Sequence, residues 1–329
     1  MESDISHYTH QYLDIESVPE YLLIHSNIWT HPELLRMFSE ACECFVKVLI
    51  IFKNREIVAS LPVYYRKIIG FKYFFNPIQV TYIPITFFYE PKNKTQENKQ
   101  TEYEIMAYMS KIIYKDFVKA EFKLSPDNFD MRPFKHKKVS ISPLYTFYIE
   151  TSQQNYTYNQ VKNIKKAKKI NLNIVANSHP DLFSHPSPST SSQYESQILN
   201  QLNLLKERMD KKGLWQNSRD KTYRKLLKLS VNKPFIKNYS IYFDQNLIAF
   251  RTIITDQKNK SAYDWFTASN NFAMQNGVNS LLMDYVINDL HENGINTFDL
   301  CGANIPSIAK FKNDFGGNLK VYFFIKKKI

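Results

Sequence analysis

The chain has 329 residues, of which 43% are apolar and 15% aromatic, while glycine occurs only seven times. This excludes general disorder and leaves room for two domains, or two halves sharing a sheet, in an aromatic-packed α/β or α+β body. The formal charge of +12 points to an anionic partner, such as nucleic acid, a phosphorylated small molecule or a membrane surface, with a soluble protein from a lysine-rich proteome as the plain alternative.

The N-terminal stretch MESDISHYTHQYLDIES has neither a basic nor an apolar segment of the secretory kind, and no apolar run approaches the roughly 20 residues that cross a bilayer. Cys42, Cys44 and Cys301 do not make a disulfide framework, and no Cys/His spacing suits zinc. The expectation is a soluble, cytoplasmic protein without a metal.

In chain order, NIWTHPELLRMFSEAC predicts a short helix with Thr30 as its cap and Pro32 in its first turn. KVLIIFKNREIVASLPVYYRK reads as two strands joined by a polar turn at Lys53 to Glu56. Apolar segments follow at Phe71 to Phe75 and Val80 to Phe88, then a polar loop from Pro91 to Lys99. In TEYEIMAYMSKIIYKD, Ile105, Met109, Ile112 and Ile113 fall at helical spacing. FVKAEFKL and SPLYTFYIE are expected strands.

YNQVKNIKKAKKINLNIV reads as a basic helix entering a short strand, and SHPDLFSHPSPSTSSQ as a loop or linker. Helices are expected from Tyr194 to Lys211 and from Asp220 to Val231. The remainder reads β-β-β-α-β-α-β: a meander of YSIYF, LIAFRTIIT and SAYDWFTA, the helix GVNSLLMDYVINDLHENG, the strand NTFDL, the short helix IPSIAKFKND and the strand LKVYFFI. The hairpin leading to Ala59 parallels the one leading to Ala249: a strand ending in Phe, a polar turn, then an aliphatic pair before the alanine. That echo favours two related halves.

Several pieces, in order, resemble the Fem-type and related acyltransferases of the GNAT superfamily. They are SNIWTHPELLR, IVASLPVYY, DNFDMRPFKHKKVSISPLYTFYIE, VKNIKKAKKINLNIV and, most specifically, GVNSLLMDYVINDLHENGINTFDLCGANIPSIAKFKNDFGG. The resemblance implies an α/β (α+β) fold of two tandem GNAT-like halves, each a mixed, mostly antiparallel sheet flanked by helices. The halves would be 1–150 and 151–329, with a helical insertion around 178–235. It implies an acyltransferase that moves an acyl or aminoacyl group from acyl-CoA or aminoacyl-tRNA to an amine of a cell-envelope precursor, a sugar nucleotide or another small acceptor.

Under that resemblance Lys312 and Phe311 match the Phe-Lys pair near the acyl-transfer centre. There an ammonium can steady the negative charge that builds on a carbonyl oxygen under amine attack. The alternative is a solvated helix lysine beside core aromatics. Asp264, as a base or amine-orienting group, and Arg251 lie on meander strands, and Asp299 sits at a strand end; all three are candidates.

Lys162, Lys165, Lys166 and Lys169 form one stripe of the basic helix and are candidates for holding phosphate, against the alternative of a solvated face. MQNGVNSLL departs from the family's pyrophosphate-binding loop, with Gln275 and Gly277 present but Asn279 where a small residue belongs. The competing reading is a non-catalytic RNA- or phosphate-binding protein on a degenerate GNAT scaffold. A membrane-surface protein led by the Lys326 to Lys328 tail is a third.

Overall fold

The computed structural model describes residues 7–19, 22, 27–88, 95–128, 130–177, 188–211, 213, 215–216, 219–231 and 233–328. Its elements begin with β1 (Tyr8–Leu13), α1 (Pro32–Cys42), β2 (Phe45–Lys53), β3 (Glu56–Ile68), β4 (Phe71–Phe75), β5 (Thr86–Phe87), α2 (Thr95–Asp116), β6 (Lys119–Leu124) and β7 (Val139–Glu150). They continue with α3 (Tyr158–Ala167), β8 (Asn173–Asn177), α4 (Pro188–Asp210), α5 (Asp220–Ser230), β9 (Ile236–Phe243), β10 (Asn246–Asp256) and β11 (Ser261–Ser269). The chain closes with α6 (Asn271–Gln275), α7 (Val278–Glu292), β12 (Thr297–Asp299), α8 (Pro306–Asn313) and β13 (Asn318–Lys327).

The chain gathers into two compact units, Met1–Tyr145 with Val321–Ile329, and Thr146–Lys320. In the first, the sheet runs β1-β2-β3-β4-β6-β13, with β4 and β6 parallel and the other pairs antiparallel. In the second it runs β8-β9-β10-β11-β12-β7, again with a single parallel pair, β11 and β12. Each parallel pair needs a crossover, and a helical segment supplies it: α2 in the first unit, α6 and α7 in the second.

The hairpins show why the two sequences echo each other. Asn54 and Arg55, like Asp244 and Gln245, all take positive φ, so both turns coil with the twist of their strands. In each hairpin the register then shifts by one residue, at Val58 and at Ile248. The displaced carbonyls are taken up alike, Val58 O by Phe88 N and Ile248 O by Asn270 N, each at 2.9 Å.

Aromatic side chains fill the first unit: Phe74 stacks on Phe122 at 4.6 Å, and Phe134 is fully buried. The helical positions Ile105, Met109, Ile112 and Ile113 are buried as their spacing predicts. In the second unit α7 sets Val278, Leu282, Met283, Val286, Ile287 and Leu290 into one core with Ile241, Ala249 and Phe298. Each such side chain contributes about 1.5–3 kcal/mol on burial.

Four expectations change. Thr30 does not cap α1; its hydroxyl donates to Asn27 O inside the preceding 3-10 turn, and His31 takes the cap position ahead of Pro32. The N-terminal stretch read as merely polar contains β1, whose order comes from its ladder with β2, from Tyr8↔Lys53 to Leu13↔Val48. The polar loop of 91–99 is helical from Thr95, and the Pro/Ser-rich linker is helical from Pro188, since proline is tolerated in a first helical turn where its missing N–H has no partner to lose. Residues 91–94 and 178–187 lie outside the described residues. Of the C-terminal lysines, Lys326 pairs with Glu121 at 2.8 Å, Lys327 donates to the carbonyls of Tyr114 and Phe117, and Lys328 is exposed.

Candidate functional site

Within the second unit, charged side chains meet inside the protein rather than on it. Arg251 on β10 and Asp264 on β11 are 2% and 5% exposed and pair at 2.5 Å. A bulge makes the pair possible. Thr252 opposes Phe266 but Ile253 opposes Asp264, so Trp265 is the extra residue. In an unbroken ladder Asp264 would face Ile254 and project from the other side of the sheet; the bulge turns it to the face that carries Arg251.

Asn279, in the first turn of α7, accepts from the Arg251 guanidinium at 3.3 Å and from Ser269 Oγ at 3.2 Å. The side chain that departs from the pyrophosphate-loop pattern is thus the one that fixes the arginine. Arg251 Nε and Asp264 Oδ1 are buried without a hydrogen-bond partner among the described residues.

Asp299 ends β12 and is 2% exposed. Its Oδ1 accepts from Thr146 Oγ1 at 2.6 Å and from Cys301 N at 2.8 Å, while Gly302 N donates back to Thr146 Oγ1 at 3.0 Å. The carboxylate therefore shapes the strand exit, where Cys301 takes φ 53 and Gly302 φ 101.

Lys312 on α8 reaches this exit. Its ammonium donates to the carbonyls of Leu300 and Gly302, the latter at 2.7 Å, and the residue is 8% exposed. Burial pushes Lys312 below the usual lysine range, and the Asp264 carboxylate pulls it back upward; Cys301, Arg251 and Asp299 also act on it. Two carbonyls leave one N–H of an ammonium uncommitted.

Phe311 is half-buried and packs edge-on against Phe315, their ring centres 5.2 Å apart. The double glycine that follows α8 is a packing requirement. A Cβ at Gly316 would come within 2.7 Å of Asn155, and one at Gly317 within 2.9 Å of Phe147.

The basic helix divides by residue. Lys162, Lys165 and Lys166 lie on α3, whereas the helix ends at Ala167 and leaves Lys169 in the turn beyond it; all four are exposed and separate from the buried cluster. Lys166 donates to Gln275 O at 2.8 Å and thereby ends α6. The opposite face of α3 closes on the start of α7: Gln160 accepts from Ser280 Oγ at 2.6 Å, and Gly277, at φ 74, lies so near Asn163 that a Cβ would collide with its carbonyl. Backbone amides at that helix end, which could cradle a phosphate, have another helix against them.

Arg251, Asp264, Asp299 and Lys312 were legible as candidates in the sequence, and the fold gathers them. Thr146, Ser269 and Gln160 were missed, and Asn279 was read only as a departure from the phosphate-loop pattern. Thr146 lies 153 residues from the carboxylate it binds, a separation that leaves no local signal. Among the described residues, no three His, Cys, Asp or Glu side chains converge as metal ligands would, and no helix is long and apolar enough to cross a membrane.

Three solved structures share this architecture at low identity. FemX superposes with a TM-score of 0.65 at 8% identity, covering 96% of either chain. The C-terminal domain of an Agrobacterium fabrum protein assigned as a lysylphosphatidylglycerol synthetase gives 0.54 at 11%, covering 95% of this chain and 91% of that one. L-PGS from Bacillus licheniformis gives 0.51 at 11%, covering 90% and 91%. No protein-family model matches the sequence, and no curated protein matches it. The chain has a FemX-like fold.

Proposed function

We propose that the protein is an acyltransferase that passes an aminoacyl group from aminoacyl-tRNA to an amine on a cell-envelope precursor, a sugar nucleotide or another small acceptor. The observation that carries this reading is the buried ammonium of Lys312, held on the carbonyls of Leu300 and Gly302 within the electrostatic reach of Asp264, whose Oδ1 is buried with no hydrogen-bond donor among the described residues. Amine attack on an ester places negative charge on the carbonyl oxygen and positive charge on the nitrogen. The remaining Lys312 N–H answers the first and Asp264 Oδ1 the second, while Arg251 holds Asp264 in place. Phe311 forms apolar wall.

The choice of donor rests on α7. In the acyl-CoA mode a pyrophosphate would lie on the amides of this helix end. With α3 packed against Gly277 and Gln160 bonded to Ser280, that mode is disfavoured. An aminoacyl-tRNA needs no such cradle, and the exposed Lys162, Lys165 and Lys169 offer phosphate contacts instead. The resemblance of the sequence to Fem-type transferases, which take aminoacyl-tRNA, supports such a donor, and the likeness in fold to FemX adds to it.

The test is transfer of labelled amino acid from charged tRNA, run beside acetyl-CoA, with envelope precursors as acceptors. Wild-type protein is expected to use the tRNA. Lys312→Met should lower kcat by about two to three orders of magnitude with bound tRNA retained. The wild-type rate should fall as pH rises through the titration of Lys312, which burial sets below the ordinary lysine range, and the variant should lack that limb. Retained tRNA with no transfer would instead favour the RNA-binding scaffold, and turnover of acetyl-CoA alone would reverse the donor assignment.

A further inference from the structure

In the first unit, the β3–β4 hairpin outruns the sheet that carries it. Strand β2 leaves β3 at Tyr65, and β6 meets β4 only from Tyr73 onward. Beyond those points Lys67 and Ile68 pair with Lys72 and Phe71, and Val118 N donates to Lys72 O at 3.1 Å at the base of the finger. The hairpin therefore extends about three residues, roughly 10 Å, past its neighbours. Seven consecutive residues, Arg66 to Lys72, are exposed.

What the finger exposes is apolar. Ile68 is 50% exposed, Phe71 56% and Ile69 91%, and Phe45 at the start of β2 adds 53%. The tip residue is also conformationally unfavourable. Ile69 takes φ 49, in the left-handed region that a β-branched side chain rarely enters. Asn or Gly would fit that turn position better. The fold thus spends local stability to hold an isoleucine in open solvent.

The flanks are cationic. Arg66, Lys67 and Lys72 line the finger, and Lys67 Nζ lies 5.6 Å from the Phe45 ring centre. No Asp or Glu occurs in the sequence between Glu56 and Glu90. Glu43, whose neighbour Cys42 accepts a hydrogen bond from Arg66, stands at the base rather than the tip.

We propose that this finger is a membrane-surface anchor: Ile68, Ile69 and Phe71 enter the acyl boundary of an anionic bilayer while Lys67 and Lys72 meet its headgroup phosphates. A convex tip of three side chains is too small for a stable protein interface, which takes about 800 Å² from each partner. It suits a fluid partner that closes around it. Apolar insertion combined with cationic attraction is how peripheral proteins bind such surfaces. The C-terminal tail offers less, because Lys326 and Lys327 are engaged within the unit and Lys328 brings no apolar side chain with it.

The test is flotation of the full chain with vesicles of phosphatidylcholine alone and of phosphatidylcholine mixed with phosphatidylglycerol. Wild-type protein should float with the anionic vesicles and not with the neutral ones, and less at raised salt. The double variant Ile69→Asn, Phe71→Thr should bind at least about tenfold more weakly. Because Asn suits the left-handed turn, its melting temperature should not fall, which separates lost binding from lost folding. Lys67→Glu with Lys72→Glu should remove the preference for phosphatidylglycerol, by roughly fivefold or more per position. Wild-type protein that stays behind with anionic vesicles, or a tip variant that floats equally well, would overturn the proposal. So would a self-association seen in sedimentation velocity that the tip variant abolishes while neither protein floats. None of these readings depends on the transfer reaction.

Discussion

Arg251 and Asp264 illustrate how a single inserted residue decides chemistry. Both side chains are almost wholly buried, and their attraction offsets the desolvation of two charges only while both are present. Removing one leaves the other charged and unmatched. Arg251→Met and Asp264→Leu should each destabilise the fold by about 3–5 kcal/mol in urea titrations, and the double variant by clearly less than their sum. Additive losses would mean that the two residues stabilise the unit independently. Lys312 differs from this pair, since its ammonium is anchored on backbone carbonyls and faces several charges of both signs. What made it visible in the sequence was the resemblance of the Phe311–Lys312 pair to that of Fem-type transferases. The geometry that gives it meaning comes from the left-handed Cys301 and the turn at Gly302, which present two carbonyls to one amine.

Among the elements, helices and hairpins were the more legible. Their signals are local: an apolar face at helical spacing in α2 and α7, and polar two-residue turns between apolar runs at Asn54–Arg55 and Asp244–Gln245. Strand β1 was not legible, because a polar edge strand is ordered by hydrogen bonds to β2 rather than by its own pattern. The junction of α3 and α7 was invisible for the same reason. Gly277 read as part of a defective phosphate loop, and it proves to be the point where one helix backbone lies against the start of another. Gly277→Ala should therefore destabilise the protein by more than about 2 kcal/mol in thermal melts, through the left-handed backbone and through overlap with Asn163. A neutral substitution there would show that α3 is free to lift, and the acyl-CoA mode would regain its footing.

At the level of the whole molecule, charge and repetition make separate contributions. The surplus of +12 predicts binding to polyanions but cannot say where. The exposed lysines of α3 and of the turn after it supply a place: replacing Lys162, Lys165 and Lys169 with Ala should weaken tRNA binding, and should flatten its dependence on the logarithm of salt by about 0.7–0.9 per lysine. An unchanged slope would remove α3 from the tRNA contact. Repetition is clearer in the structure than in the residues. The two units share the same strand order, one parallel pair each and equivalent bulges, although only the hairpins ending at Ala59 and Ala249 echo in sequence. Strand β13 belongs to the first unit from Val321 onward, and β7 to the second from Thr146, so each unit is completed by a segment distant in the chain.

By itself, the sequence determined what short-range physics can determine: the periodic helices, the turns that demand positive φ, the basic face of α3, and which ionisable residues fall on apolar strands where burial makes them consequential. Tertiary structure alone decided that Asp264 faces Arg251, that Thr146 and Asn279 complete the cluster, that α3 covers the start of α7, and that Ile69 stands in solvent. Each of these depends on register, on a bulge or on contact between distant segments. Side-chain pattern carries only the period of an element, whereas which partner it meets is settled by how the whole chain buries its apolar surface.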